Sequence, residues 1–166
     1  MIRGLHHNAY RCRDSEQTRR FYEGFLGLPL AGTLEINETK SGRKTSTLHT
    51  FYEMDNGSYL AFFEAPDMPF EFKAQQDYDL HIALEVEPKA LHEMMAKGKA
   101  AGIETRGISD HRFIHSIYFR DPNGYVIELT AKADGHDAAM NPAINGAREK
   151  LDRWTAAKHQ QTASTA

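Results

Sequence analysis

Glu128 is the residue from which the chemistry of this chain is best read. It stands in the stretch 116–129, where Ile117, Tyr118 and Phe119, and then Tyr125, Val126 and Ile127, flank the cluster Asp121-Pro122-Asn123-Gly124. Such a cluster cannot be strand interior, so the stretch predicts two strands joined by a turn. Alternation along the second strand puts Val126 and Glu128 on one face and Tyr125, Ile127 and Leu129 on the other, leaving a carboxylate inside a strand otherwise built for burial. A buried, ionised carboxylate is expensive without a partner. Arg11 or Arg13 could supply one. A divalent metal is the favoured alternative, because the chain also carries nine histidines.

The elements that would position these groups occur twice. Residues 5–13 read as a strand ending at the N-cap pair Asp14-Ser15, and Thr18, Phe21, Tyr22, Phe25 and Leu26 then fall at helical spacing before Gly27. Strands follow at 28–36, 45–54 and 58–64, with a polar loop at 37–44 and the turn Asp55-Asn56-Gly57. After a linker at 66–78 the order begins again. Residues 80–86 form a strand, Pro88 opens a helix with Leu91, Met94, Met95 and Gly98 on one face, 103–108 form a strand, and the hairpin around Glu128 completes the unit. The fold class is therefore α+β, with βαβββ units at about 4–65 and 79–131. His7-Asn8-Ala9-Tyr10 lies over His81-Ile82-Ala83-Leu84. The stretch beginning Asn56-Gly57 lies over that beginning Asn123-Gly124, which makes Ala61 the counterpart of Glu128. His6, beside His7, would point inward if the register moved by one.

The repeat fills a domain at 1–132; residues 133–166 add a helix at 142–158, with Ile144, Ala147, Leu151 and Trp154 on one side, and a tail expected to be disordered. At 166 residues, with 40% hydrophobic and 26% charged residues, the composition is that of a globular protein. A formal charge of -3 with scattered basic residues argues against a nucleic-acid surface. No apolar run reaches membrane-spanning length and the start does not read as a signal peptide, so no membrane partner and a cytoplasmic location are expected. Cys12 cannot form an internal disulfide and reads as a small core residue.

Two βαβββ units, each opening on a histidine-bearing strand, with Asp121-Pro122-Asn123-Gly124-Tyr125 leading to Glu128, resemble the vicinal oxygen chelate superfamily. That superfamily includes glyoxalases, fosfomycin-resistance enzymes, bleomycin-binding proteins and extradiol dioxygenases. The resemblance implies a curved mixed-sheet cleft and, by position, a metal site made of His7, His81 and Glu128. Two imidazoles and one carboxylate form a facial triad with open positions, and Fe(II) is the favoured ion, with Mn, Ni, Zn or Co as alternatives. Ala61 removes the fourth ligand that typical glyoxalases carry.

His111 and Tyr118 precede Glu128 at spacings similar to the extradiol signature, in which a His and a Tyr flank the substrate; Ser109 departs from it. The strand after Asn56-Gly57 has no acid-base histidine, and His49 and His115 are possible substitutes. Ala9, and the lack of an arginine at 130–137, count against a fosfomycin-resistance activity. The resemblance thus implies a metal-dependent enzyme acting on a small substrate that chelates through adjacent oxygens. An extradiol ring-cleaving dioxygenase ranks first, and a glyoxalase-like lyase or isomerase using the same triad is the alternative. A further alternative is a metal-free protein of the bleomycin-resistance type that sequesters a ligand among Phe51, Tyr59, Phe62, Phe63 and Phe119. A homodimer is implied by the superfamily and the C-terminal helix, with the units pairing within one chain or exchanging between chains.

Overall fold

The computed structural model describes residues 1–72 and 76–164, with side chains as far as Lys158; residues 73–75 of the expected linker lie outside the described part. The first repeat runs β1 (Tyr10–Arg11), α1 (Ser15–Arg19), β2 (Leu30–Glu38), β3 (Lys44–Glu53) and β4 (Tyr59–Glu64). The second runs β5 (His81–Glu85), α2 (Pro88–Ala100), β6 (Thr105–Asp110), β7 (Ile114–Arg120) and β8 (Val126–Lys132). Two further helices, α3 (His136–Met140) and α4 (Ala147–Ser164), close the chain. The two sheets have the orders β1-β4-β3-β2 and β5-β8-β7-β6, one permutation used twice. In the first, β1 pairs parallel with β4, while β3 pairs antiparallel with both β2 and β4.

Local chemistry sets the ends of these elements. Asp14 Oδ1 accepts from the Gln17 amide at 2.6 Å, and Glu64 Oε2 accepts from the Ser15 amide at 2.7 Å, so two donors at the head of α1 are satisfied by carboxylates. The helix continues through Arg20–Phe25 as a wider π turn, in which the Leu26 amide bonds the Phe21 carbonyl at 2.9 Å. Gly27, at φ 85°, then turns the chain toward β2. Pro88 stands at the start of α2, where a missing N–H is harmless.

The opening strand is shorter than expected. Only Tyr10–Arg11 ladder onto β4, and His7 makes an isolated bridge to Tyr59. Between them Asn8 takes over a backbone role, its Oδ1 accepting from the Ala61 amide at 2.7 Å. The last helix begins at Ala147 rather than 142, because Asn145 Oδ1 caps the Ala147 amide at 2.9 Å and Gly146 takes φ 63°. It includes the Gln-Thr-Ala-Ser run as far as Ser164.

The chain falls into two compact units, Met1–Ile82 with Phe119–Ile127, and Ala83–Tyr118 with Glu128–Ala166. The tip of the β7–β8 hairpin therefore belongs with the first repeat. In that unit Tyr22, Tyr52 and Phe62 are fully buried, with Tyr22 4.6 Å from Phe62 and 5.4 Å from Tyr52 between ring centroids. Phe25 meets Phe119 edge-on at 5.1 Å. Cys12 is 1% exposed, the core residue its surroundings predict. In the second unit Leu91 from α2 and Ile117 and Leu129 from β7 and β8 are buried. Burying side chains of this size contributes roughly 1.5–3 kcal/mol each.

Candidate active site

Glu128 is 5% exposed on β8, and its neighbours Val126, Ile127 and Leu129 are as buried, at 3%, 0% and 4%. Burial on both faces hides the alternation expected of a half-exposed strand. Glu128 Oε1 accepts from the Tyr118 hydroxyl at 3.2 Å, and that hydroxyl lies 2.8 Å from His111 Nε2. Three residues singled out by spacing therefore form one hydrogen-bonded row. β7 sets Tyr118 opposite Glu128, and a tight loop sets His111. Arg112 there takes φ 75°, its amide donating to Asp110 Oδ1 at 2.6 Å, while the His111 amide bonds the Ile114 carbonyl at 3.0 Å. Burial, and then the negative charge of Glu128, push the Tyr118 hydroxyl above its usual 10.0, so at neutral pH it keeps its proton to donate.

His7 and His81 are both exposed. His81 Nδ1 sits 2.9 Å from the Asp77 carbonyl. A carbonyl can only accept, so Nδ1 carries the proton that makes this bond. His7 Nδ1 lies 2.8 Å from His6 Nδ1. With His7 as the donor of that pair, the ring's lone pair is on Nε2. Two imidazoles and a carboxylate are donor types that divalent ions accept. Among the described residues, no three His, Cys, Asp or Glu side chains stand together as a group able to hold a metal.

The remaining candidates are dispersed. His49 is 5% exposed on β3, its Nδ1 3.0 Å from the Phe62 carbonyl and its ring stacked on Phe63 at 3.6 Å. Burial holds its pKa below 6.5. His7 is 5.9 Å from His49 and 5.6 Å from Phe51, ring to ring. His115 pairs with Asp110 at 3.5 Å and is half exposed. Arg11 donates to the carbonyls of Met68 at 2.7 Å and Ala65 at 3.4 Å, and Arg13 lies over the Phe70 ring at 5.4 Å.

Of the five aromatics proposed to line a binding cleft, Phe62 and Phe119 are core residues at 0% and 1% exposure, while Phe51, Tyr59 and Phe63 are less buried. The pairing of Phe51 with Ala61 and His49 with Phe63 puts all three on the sheet face of Ala61. The Asp-Pro-Asn-Gly turn is structural. Asp121, 4% exposed, accepts from Tyr22 Oη at 2.9 Å, Asn123 Nδ2 at 3.1 Å and the amides of Asn123 and Tyr125 at 2.9 and 2.8 Å. One neighbour of Tyr118 carries no signal in the sequence: Arg106, whose Cζ lies 5.6 Å from the Tyr118 ring centroid.

The fold and the row ending at Glu128 define a class. The chain matches the family described as the Glyoxalase/Bleomycin resistance protein/Dioxygenase superfamily over residues 4–129, and it belongs to that superfamily. Among curated relatives it is similar to "Putative ring-cleaving dioxygenase MhqA" of Bacillus subtilis, 28% identical over 154 residues. That match covers 90% of this chain and 47% of MhqA, so the chain spans about half of that relative's length. It is 31% identical to the uncharacterized protein YwkD of the same organism over 137 residues, 78% of this chain and 97% of YwkD.

Among solved structures the genomically encoded fosfomycin resistance protein FosX of Listeria monocytogenes superposes with a TM-score of 0.64 at 22% identity, over 82% of this chain and 98% of FosX. FosX has also been solved with Mn(II) and sulfate, superposing at 0.60 with 21% identity over 83% of this chain and 99% of FosX. A protein of the same fold has thus been solved with a divalent metal. No helix among the described residues is long and apolar enough to cross a membrane.

Proposed function

We propose that this protein is a divalent-metal-dependent enzyme of the extradiol ring-cleaving type, acting on a small aromatic substrate that presents two adjacent oxygens. The observation that carries the reading is the row His111 Nε2, Tyr118 Oη, Glu128 Oε1, with spacings of 2.8 and 3.2 Å. The similarity to MhqA supports it. His7, His81 and Glu128 are the ligands in this reading, and the active form is a homodimer in which His7 of one copy serves the site of the other. Bound there, a divalent ion would supply Lewis acidity toward the paired substrate oxygens and, as Fe(II), a redox-active centre through which electrons of the substrate itself can pass to dioxygen.

The chain's own residues do the rest. Tyr118 holds a proton at its hydroxyl and Glu128 orients it. With substrate present the same hydroxyl can turn its donation to a substrate oxygen, and His111 Nε2–H stands behind it to relay a proton. Phe51, Tyr59 and Phe63 give a ring-shaped substrate an apolar wall. A lyase or isomerase reaction on the same triad is favoured by one separate observation, the buried, neutral His49 beside His7, which would serve as a base.

The test is oxygen uptake by Fe(II)-loaded protein with a panel of catechols, read together with metal content. Uptake is expected, and Tyr118→Phe should lower kcat about 100-fold or more with metal content kept, the usual effect of losing a positioned proton donor. No uptake across the panel, with turnover of a hemithioacetal instead, would replace the first reading by the second.

A further inference from the structure

We propose that Arg106 makes this site selective for substrates that carry an anionic group, a carboxylate in the first instance, beside their paired oxygens. The inference rests on the function proposed above, because it takes the space around Tyr118 Oη and Glu128 as the place where substrate binds. Arg106 lies on β6 with its Cζ 5.6 Å from the centroid of the Tyr118 ring, inside the range of a cation–π contact. The same ring carries the hydroxyl that reaches Glu128 Oε1 at 3.2 Å and His111 Nε2 at 2.8 Å. One side chain thus has a guanidinium over its face and a carboxylate at its tip. A molecule seated with its reacting oxygens at that tip meets the ring whose face the guanidinium covers.

One neighbour of Arg106 is a carboxylate at the edge of contact. Its Nε lies 3.5 Å from Glu104 Oε1, and the two side chains are 46% and 49% exposed. A contact that long between exposed groups contributes little by itself. A substrate carboxylate can offer two oxygens to the planar fork of the guanidinium, the geometry in which arginine binds carboxylates best. The chain's overall charge of -3 gives no general attraction for anions, so preference for one would have to come from a local group such as this.

The test is binding followed by NMR titration, which needs no turnover. Catechol, 3,4-dihydroxybenzoate and benzoate are compared on metal-free and Mn(II)-loaded protein, for the wild type, Arg106→Gln and Arg106→Lys. Wild type is expected to bind dihydroxybenzoate at least about 10-fold more tightly than catechol, a single charge-assisted pair's effect. Arg106→Gln should abolish that margin without changing catechol, and Arg106→Lys should keep part of it. Benzoate should show the same dependence on Arg106 without metal. Equal affinity of the wild type for dihydroxybenzoate and catechol, or equal loss of both in Arg106→Gln, would overturn the proposal. If Mn(II) fails to tighten either diol while the preference for the carboxylated ligands persists and depends on Arg106, the metal reading falls and the anion site stands.

Discussion

At the scale of single residues, two buried polar groups in the first unit respond to different perturbations. His49 is buried between Phe63 and Phe51, with ring centroids 3.6 and 4.1 Å away. Burial lowers its pKa from 6.5, against the opposing pull of the Phe62 carbonyl. A histidine whose folded pKa is depressed contributes stability that is fully present above its unfolded pKa and is lost as pH falls through the folded one. Urea midpoints of the wild type should therefore decline from about pH 6.5 downward, and His49→Phe should flatten that decline; equal slopes in the two proteins would remove His49 as its source. Asp121 answers to truncation instead. It accepts four hydrogen bonds, from Tyr22, from the Asn123 side chain and from two backbone amides. Asp121→Ala would strand those donors in a site closed to water, and a loss of about 3 kcal/mol or more in chemical denaturation is expected. A loss below about 1 kcal/mol would mean that water replaces the carboxylate. Sequence spacing alone marked the turn but not this role, since Tyr22 lies 99 residues away from Asp121.

At the scale of elements, the repeat was legible because the same strand order is written twice, and the hairpin because its turn residues have few other uses. What the sequence concealed depends on register. Phe62 and Phe63 are adjacent and chemically alike, yet Phe62 is core while Phe63 stacks on His49; only the pairing with β3 tells them apart. Arg106 escaped for the same reason, being next to Tyr118 only through the neighbouring of β6 and β7 in the sheet. Those two strands approach through Gly107, which sits at φ 110°; a Cβ there would come within 2.7 Å of the Ser116 carbonyl oxygen. A side chain would be strained by the backbone angle and blocked by main chain that cannot rotate away. Gly107→Ala should cost about 2–4 kcal/mol, by the sum of overpacking and left-handed strain. It should also shift the Tyr118 ring resonances through the displaced Arg106, and a thermal midpoint unchanged from wild type would show that β6 can part from β7 at no cost.

At the scale of the whole molecule, the proposed triad raises the question of which chain supplies His7. His7 and His81 lie in the first compact unit and Glu128 in the second, and among the described residues no three ligand side chains form a metal-holding group. The C-terminal segment leaves Ile144, Leu151 and Trp154 at 69%, 55% and 67% exposure, apolar surface of the kind that interfaces use. If two copies exchange His7, each site in a symmetric dimer draws on both chains, and this makes a specific arithmetic. A chain lacking His7 and a chain lacking Glu128 are each unable to build a site with their own kind. In a mixed dimer one site loses both residues and the other keeps all three. Random reassociation of equal amounts yields mixed dimers in half the population, so about a quarter of all sites should regain metal. His7→Ala and Glu128→Ala proteins, mixed after mild denaturation and refolding, should therefore recover Mn(II) binding near that fraction of wild type, although neither binds alone. Were every site built within one chain, no mixture could recover any.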